Sequence, residues 1–306
     1  MKRVPIVFAF DNNLSKPAAI CLSSLLMTAK ADTFYDIFIL YSRELKFEEK
    51  RLKEHFSNFQ ITYRQVGPDF DSSYEIRGIT TTAYYRLLIP ELIPEYDIIL
   101  YSDVDVIFRD DLSDIYFNTD MSGYYVAGVD SLAHLIPDLY KYYVQKRRKD
   151  PHGNIYSGNL ILNSRLMRQD GIVDAFRRHI DKKYKFQDMD ILNIVCQGRI
   201  KYLPPSFCYT TYIADFAVNN RQALLSVWPE DEIQNAQNKG IVHYNGQKPW
   251  KGACINFDLW WEYYRKSPFF DPSQYFHFFE NMLNELDRLP LIKRVKILAR
   301  YFFIKK

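Results

Sequence analysis

Two carboxylates, Asp103 and Asp105, follow the apolar run Ile98-Ile-Leu-Tyr101 with only Ser102 between. Residues i and i+2 of a strand point to one side, so both side chains can converge on one cation. Hard oxygen ligands at that density suit Mg2+ or Mn2+. Taken alone, an Asp-X-Asp tripeptide also fits a solvated strand end, but these acids close a strand too apolar for a surface position. The second chemical element is His243-Tyr-Asn-Gly246-Gln-Lys248-Pro-Trp250, directly after Ile241-Val242. A histidine nitrogen shifts a two-carboxylate site toward Mn2+, Gly246 permits close backbone approach, and Lys248 supplies a phosphate-binding ammonium. Read separately, a hydrogen-bonded loop histidine and a surface lysine are the stronger reading of these residues, since most histidines are not ligands.

Those residues need a scaffold that places strand ends side by side. Val4–Phe10 is a short β-rich run followed by the loop Asp11-Asn-Asn13, and Ser15-Lys-Pro17 opens a helix reaching about Ala29. Strand signals recur at Tyr35–Tyr41, Gln60–Val66, Tyr96–Tyr101 and Tyr156–Asn163. Between and after them the pattern predicts helices over Lys46–Phe56, Thr80–Leu92 (halted by Pro90 and Pro94), Ser164–Ile180 and Asp188–Val195. Such alternation implies an α/β fold built from right-handed crossovers. Ligands of open α/β sheets bind beyond the carboxyl ends of the strands, so Asp11, Asp103 and Asp105 are expected to face one crevice. The charged, Tyr-rich stretch Tyr140–Asp150 is placed to cover it, and the aromatics of Phe257–Phe279 read as packing.

The chain has 306 residues, 47% hydrophobic and 25% charged, with 11 Gly, 14 Pro and 4 Cys. Collagenous, disordered and disulfide-scaffold classes are excluded. Cys21, Cys196, Cys208 and Cys254 are too widely spaced for a close metal pair and read as free thiols. The net charge of +3 is uneven: residues 288–306 carry seven Lys/Arg and no acid, leaving 33 basic against 37 acidic residues elsewhere. An acidic body argues against nucleic acid as a partner, and the tail is suited to an anionic surface. At 100° per residue, Leu291, Ile292, Val295, Leu298, Ala299 and Phe302 share a face opposite Lys293, Lys296 and Arg300; Arg294, Ile297 and Tyr301 are exceptions. Such a helix lies in a membrane interface without crossing it. The expected division is a catalytic domain over 1–265 and a helical, basic extension over 266–306. The expected location is cytoplasmic, peripheral on the inner face of the cell membrane.

Five ordered motifs carry a family resemblance: Phe8-Ala-Phe-Asp11-Asn-Asn13, Thr81-Thr-Ala-Tyr-Tyr-Arg86, Leu100-Tyr-Ser-Asp103-Val-Asp105, Gln187-Asp188-Met-Asp190-Ile-Leu-Asn193 and the His243 element. From about Val4 to Trp250 the chain resembles glycosyltransferase family 8, retaining enzymes that use nucleotide sugars and include lipopolysaccharide galactosyl- and glucosyltransferases. The resemblance implies a GT-A type α/β fold, with a mostly parallel mixed sheet flanked by helices. It also implies transfer of glucose or galactose from a UDP-sugar to a glycan or glycolipid acceptor, dependent on Mn2+ (or Mg2+), in lipopolysaccharide or other envelope polysaccharide synthesis. By the same resemblance Asp103, Asp105 and His243 bind the metal with the donor diphosphate. Ala9, Asp11, Asn13 and Val104 meet the nucleotide, Gly246 and Lys248 the diphosphate, and Arg86 and Asp188 the donor sugar. Asp130 lies near the donor and acceptor sugars, and Asp188, Met189 and Asp190 flank the reacting centre.

Four departures from the family pattern stand out, one of them the Gly246-to-Lys248 spacing, which is one residue short of the commonest version. Met189 replaces the Gln usual between the two acids, Tyr156 stands where Asn is usual, and Leu14 where a uracil-stacking Tyr often stands. A thioether cannot act as an amide oxygen does, so either the main-chain carbonyl near Met189 and the Asp190 carboxylate suffice or the activity has changed. The alternative function is a catalytically weakened nucleotide-sugar-binding protein of the same fold. An aspartyl phosphatase, which also places Asp-X-Asp after a strand, usually carries its nucleophile on the first strand.

Overall fold

The computed structural model describes residues 1–67, 81–146, 150–284 and 289–303. Its strands are β1 (Lys2–Ala9), β2 (Thr33–Tyr41), β3 (Phe59–Gln65), β4 (Ile98–Ser102), β5 (Val106–Phe108), β6 (Val126–Gly128), β7 (Asn159–Asn163), β8 (Ile200–Tyr202), β9 (Tyr209–Thr210) and β10 (Ile241–His243). A seven-stranded sheet has the order β3-β2-β1-β4-β7-β6-β8, and a three-stranded sheet the order β5-β10-β9. In the large sheet only β7 runs against its neighbours; all other pairs are parallel.

The apolar strand runs follow from this layering. A sheet covered on both faces needs apolar residues at successive positions, and β1 sends Val4, Ile6 and Phe8 into one core and Val7 and Ala9 into the other. The helix Ser15–Met27 buries every residue from Pro17 to Leu26. Trp260, Trp261 and Tyr264 of the helix Phe257–Lys266 are buried in the same core as Phe8, and Trp261 packs against Phe278 and Phe279. The aromatics of Phe257–Phe279, the exposed Phe276 apart, are therefore packing, as expected. Among the described residues the four cysteines are free, three buried and Cys254 half-buried.

Several element boundaries differ from expectation, and the strand expected over Tyr156–Asn163 begins only at Asn159. Lys46–Phe56 contracts to a helix over Glu49–Lys53, in which only Leu52 is buried; with so little packing, the remaining turns gain no support. Thr80 lies outside the described residues, and the following segment is a 3-10 helix over Thr81–Leu88 joined to a single turn at Ile89–Leu92. Pro90 does not halt it: Pro90 occupies the first turn of that second piece, where a missing N–H costs nothing. Ser164–Ile180 is broken into Ser164–Gln169 and Ile172–Arg177 by Gly171, at φ 64°. In Tyr140–Asp150, a helix over Pro137–Lys141 continues as a wider turn through Tyr142–Lys146, and 147–149 lie outside the described residues.

Candidate metal and donor site

The junction between the two sheets creates the site. Asp103 N–H bonds Gly158 O at 2.8 Å, one step beyond the β4–β7 pair Ser102 and Asn159. Tyr244 N–H bonds Asp105 O at 2.9 Å, one step beyond the β5–β10 pair Val106 and His243. Two ladders therefore clamp the Asp103–Asp105 turn, and His243 arrives from 138 positions away in sequence. The ligand atoms of Asp103, Asp105 and His243 lie within 4.8 Å of one another.

Each carboxylate has one oxygen tied down and the other directed inward. Asp103 Oδ1 accepts from Arg86 Nη2 at 2.8 Å and from Tyr101 Oη at 2.7 Å, while Oδ2 stands 3.6 Å from His243 Nε2. Asp105 Oδ2 accepts from Lys248 Nζ, while Oδ1 is 3.2 Å from the same Nε2. Two oxygens and one nitrogen thus share a focus, a donor set suited to a hard or borderline divalent cation. Burial disfavours ionisation of Asp105, but Lys248 and His243 outweigh it and hold the carboxyl well below the usual range. Burial likewise opposes charge on His243, and the Asp105 carboxylate overrides it, holding the imidazole up to about 10. The pair is an ion pair whose His243 proton a metal must displace.

Gly158 makes room for this packing. A Cβ there would stand 2.2 Å from His243 Cε1 and 2.8 Å from Asp103 Oδ2. The requirement is steric, and only the tertiary structure reveals it. At Gly246 a Cβ would meet nothing closer than 3.6 Å, so no neighbour within this chain demands glycine there.

Arg86 links the metal ligands to the donor-sugar candidates. Only 5% exposed, it pairs with Asp103, places Nε 3.2 Å from Asp188 Oδ2, donates to Ser157 O and lies 4.5 Å over the Tyr101 ring. Burial opposes its charge, yet Asp103 and Asp188 more than compensate and raise its pKa. Burial raises the Asp188 carboxyl, with Arg86 working against it. Asp188 opens the helix Gln187–Val195 just after Gln187, which takes φ 44°, and its carboxylate sits in the positive first turn.

The remaining sequence candidates fall into three groups. Ala9 ends β1, beside β4, and Asp11 follows it with Oδ1 accepting from Asn13 N–H at 2.9 Å. Val104 is buried between the two acids. Asp130 lies beyond β6, two strands from β4; its Oδ1 accepts from Leu132 N–H at 2.7 Å, and His134 Nδ1 is 3.8 Å away. Burial raises its carboxyl. Met189 is half-buried, and its carbonyl accepts from Asn193 Nδ2 at 2.9 Å. Asp190, 1% exposed, accepts from Tyr142 Oη (2.7 Å) and Phe186 N–H (3.1 Å) at Oδ2, and from Tyr143 Oη (2.8 Å) at Oδ1. Of the two substitutes for a glutamine amide at 189, the Asp190 carboxylate is buried under three donors, whereas the Met189 carbonyl accepts one side-chain bond. Asp190 anchors the Tyr142–Lys146 turn.

Sequence reasoning did not single out Tyr101, Asn159 or Cys208 as site residues, nor Gly158 for its steric role. The pair Tyr142 and Tyr143 was legible only as part of a Tyr-rich stretch.

The mixed, mostly parallel sheet flanked by helices is the fold of GT-A glycosyltransferases such as LgtC. The profile described as Glycosyl transferase family 8 matches residues 5–254, and the chain belongs to that family. General stress protein A of Bacillus subtilis is 24% identical over 284 residues, covering 89% of this chain and 92% of that protein. Lipopolysaccharide 1,2-glucosyltransferase of Escherichia coli is 23% identical over 258 residues, covering 80% and 72%. Among solved structures, an active-site mutant of LgtC superposes with a TM-score of 0.69 at 23% identity, covering 86% of this chain and 96% of that one. The GT-A fold and the family expected from the motifs are both borne out.

Proposed function

We propose that this glycosyltransferase moves glucose or galactose from a UDP-sugar to a glycan or glycolipid acceptor with retention of configuration, using Mn2+, or Mg2+, at Asp103, Asp105 and His243. The observation carrying this reading is the converging set of Asp103 Oδ2, Asp105 Oδ1 and His243 Nε2. A divalent cation held there supplies Lewis-acid stabilisation of the diphosphate charge that develops as the sugar departs. Lys248, part of the same ion-pair set, lends a further positive charge. Ala9, Asp11, Asn13 and Val104, at and just after the carboxyl ends of β1 and β4, bind the nucleotide. Asp188, whose Oδ2 lies 3.2 Å from Arg86 Nε, accepts from donor-sugar hydroxyls and offsets positive charge on the ring. With the Asp190 carboxylate buried under three donors, attack proceeds from the leaving-group face without a covalent sugar on that residue. A sugar trapped on Asp190 would contradict this.

Lipopolysaccharide or another envelope glycan is the proposed setting, at the inner face of the cell membrane. The helix Leu291–Phe303 supports peripheral attachment: Leu291, Ile292, Val295 and Leu298 are 55–75% exposed, and Lys293, Lys296 and Arg300 are exposed beside them. The side chain of Phe302 and residues 304–306 lie outside the described part of the tail. No helix among the described residues is long and apolar enough to cross a membrane.

A panel of UDP-sugars with Mn2+, scored for UDP release alone and with membrane extracts, tests the reading. UDP-glucose or UDP-galactose should be turned over, with loss on chelation. Tight Mn2+-dependent UDP binding without release from any UDP-sugar would favour the weakened binding protein, to which Met189 points.

A further inference from the structure

An imidazole that gives Nε2 to a cation carries its hydrogen on Nδ1, and a buried N–H needs an acceptor. Metal-ligating histidines ordinarily find one in a carboxylate, a backbone carbonyl or water. Behind His243 the structure places a thiol instead. Cys208 Sγ, fully buried, is 3.6 Å from His243 Nδ1. The amide of Asn159, also fully buried, donates Nδ2–H to the same sulfur at 3.3 Å. Ser102 Oγ stands 2.8 Å from Asn159 Oδ1 and 2.9 Å from the Asp103 carbonyl, the two acceptors its single hydrogen can serve. With Nδ1 carrying the hydrogen, as ligation through Nε2 requires, it and the Asn159 amide both point at this sulfur and make it the acceptor.

We propose that Cys208 is a positioning residue for the metal site: its sulfur holds the Nδ1 hydrogen of His243 and so fixes the ring in the tautomer that presents a bare Nε2 to a divalent cation. The inference rests on the metal reading of Asp103, Asp105 and His243. Several elements cooperate. Ser102 ends β4 directly before Asp103, Asn159 opens β7 opposite it, and Cys208 precedes β9, which pairs with β10 at Thr210 and His243. The chain Ser102, Asn159, Cys208, His243 therefore runs behind the ligands from one sheet to the other. Gly158 abuts the Cε1–Nδ1 edge of the ring, so the imidazole has little freedom to find another partner on that side. Burial also keeps the thiol from solvent oxidants, which suits a fixed acceptor rather than a reactive cysteine.

The test is Mn2+ titration of the metal-free protein, with free ion followed by electron paramagnetic resonance at fixed pH and circular dichroism melting recorded on the same samples. Cys208→Ala removes the acceptor and is expected to weaken Mn2+ binding about tenfold or more, the usual consequence of losing a ligand's outer partner. Cys208→Ser keeps an acceptor on a shorter bond and is expected to fall between alanine and wild type. A folded Cys208→Ala protein that binds Mn2+ as wild type does would overturn the proposal while leaving the metal reading intact. Failure of the wild type to bind Mn2+ at all would remove the metal reading itself. Should the alanine variant not fold, Cys208→Val, which fills the same space without an acceptor, takes its place, and wild-type Mn2+ affinity in that folded protein contradicts the role of the sulfur.

Discussion

Replacing Gly158 by alanine perturbs the metal site by one methyl group. The added Cβ would stand 2.2 Å from His243 Cε1 and 2.8 Å from both His243 Nδ1 and Asp103 Oδ2. Restoring an ordinary contact of 3.4 Å requires the imidazole edge to retreat by roughly 1.2 Å, several times the ±0.2 Å tolerance of metal–ligand distances. The ring cannot yield toward Cys208, which is fully buried at 3.6 Å from Nδ1. Overpacking of this kind costs about 1–3 kcal/mol of stability. Loss of turnover should be larger, on the order of 10²-fold, because a displacement of about 1 Å at a reacting centre has that effect. Calorimetric Mn2+ titration and a UDP-release assay, run beside urea denaturation, separate the two quantities. If Gly158→Ala binds Mn2+ and turns over donor like wild type, the steric argument for Gly158 and the placement of His243 as a ligand both fall.

Other outcomes follow from the same contacts. Asp103→Asn should abolish Mn2+ binding and UDP release while leaving the circular dichroism spectrum unchanged; retained binding would remove Asp103 from the ligand set. Arg86→Met strands Asp103 and Asp188 without their buried cation and should cost about 3–5 kcal/mol in urea unfolding, a loss absent if the bridge contributes nothing. Tyr143→Phe removes one donor to the Asp190 carboxylate, a bond worth about 1.5–3 kcal/mol, and should speed hydrogen exchange across 137–146 with little change elsewhere. Deleting 288–306 should release the protein from anionic vesicles and preserve donor hydrolysis; unchanged vesicle binding would refute the attachment role.

Much of this protein is set by its sequence alone. Apolar runs such as Tyr35–Tyr41 and Ile98–Tyr101 specify strands buried on both faces, because a parallel sheet offers no wet side. Asp103 and Asp105 drew notice by closing an apolar strand, and His243 joined them as a ligand through the five ordered motifs of the family resemblance. The positive tail was legible as a charge imbalance, and the exposure of Leu291 and Ile292 agrees with an amphipathic surface helix. Pattern reasoning failed where packing decides local structure, as at Pro90, which begins a helical turn, and at Gly171, which splits one helix into two.

The tertiary structure alone decided which groups restrain the ligands. Gly158 and Cys208 are 50 positions apart and meet His243 only because β7, β9 and β10 converge at the sheet junction. Nor does sequence spacing show that Asp188 and Asp190, so near in the chain, have different partners: one the buried Arg86, the other two tyrosines and a backbone amide. Residue type sets which bonds a side chain can make. Which of them it makes depends on neighbours brought from distant parts of the chain, and burial makes those bonds obligatory.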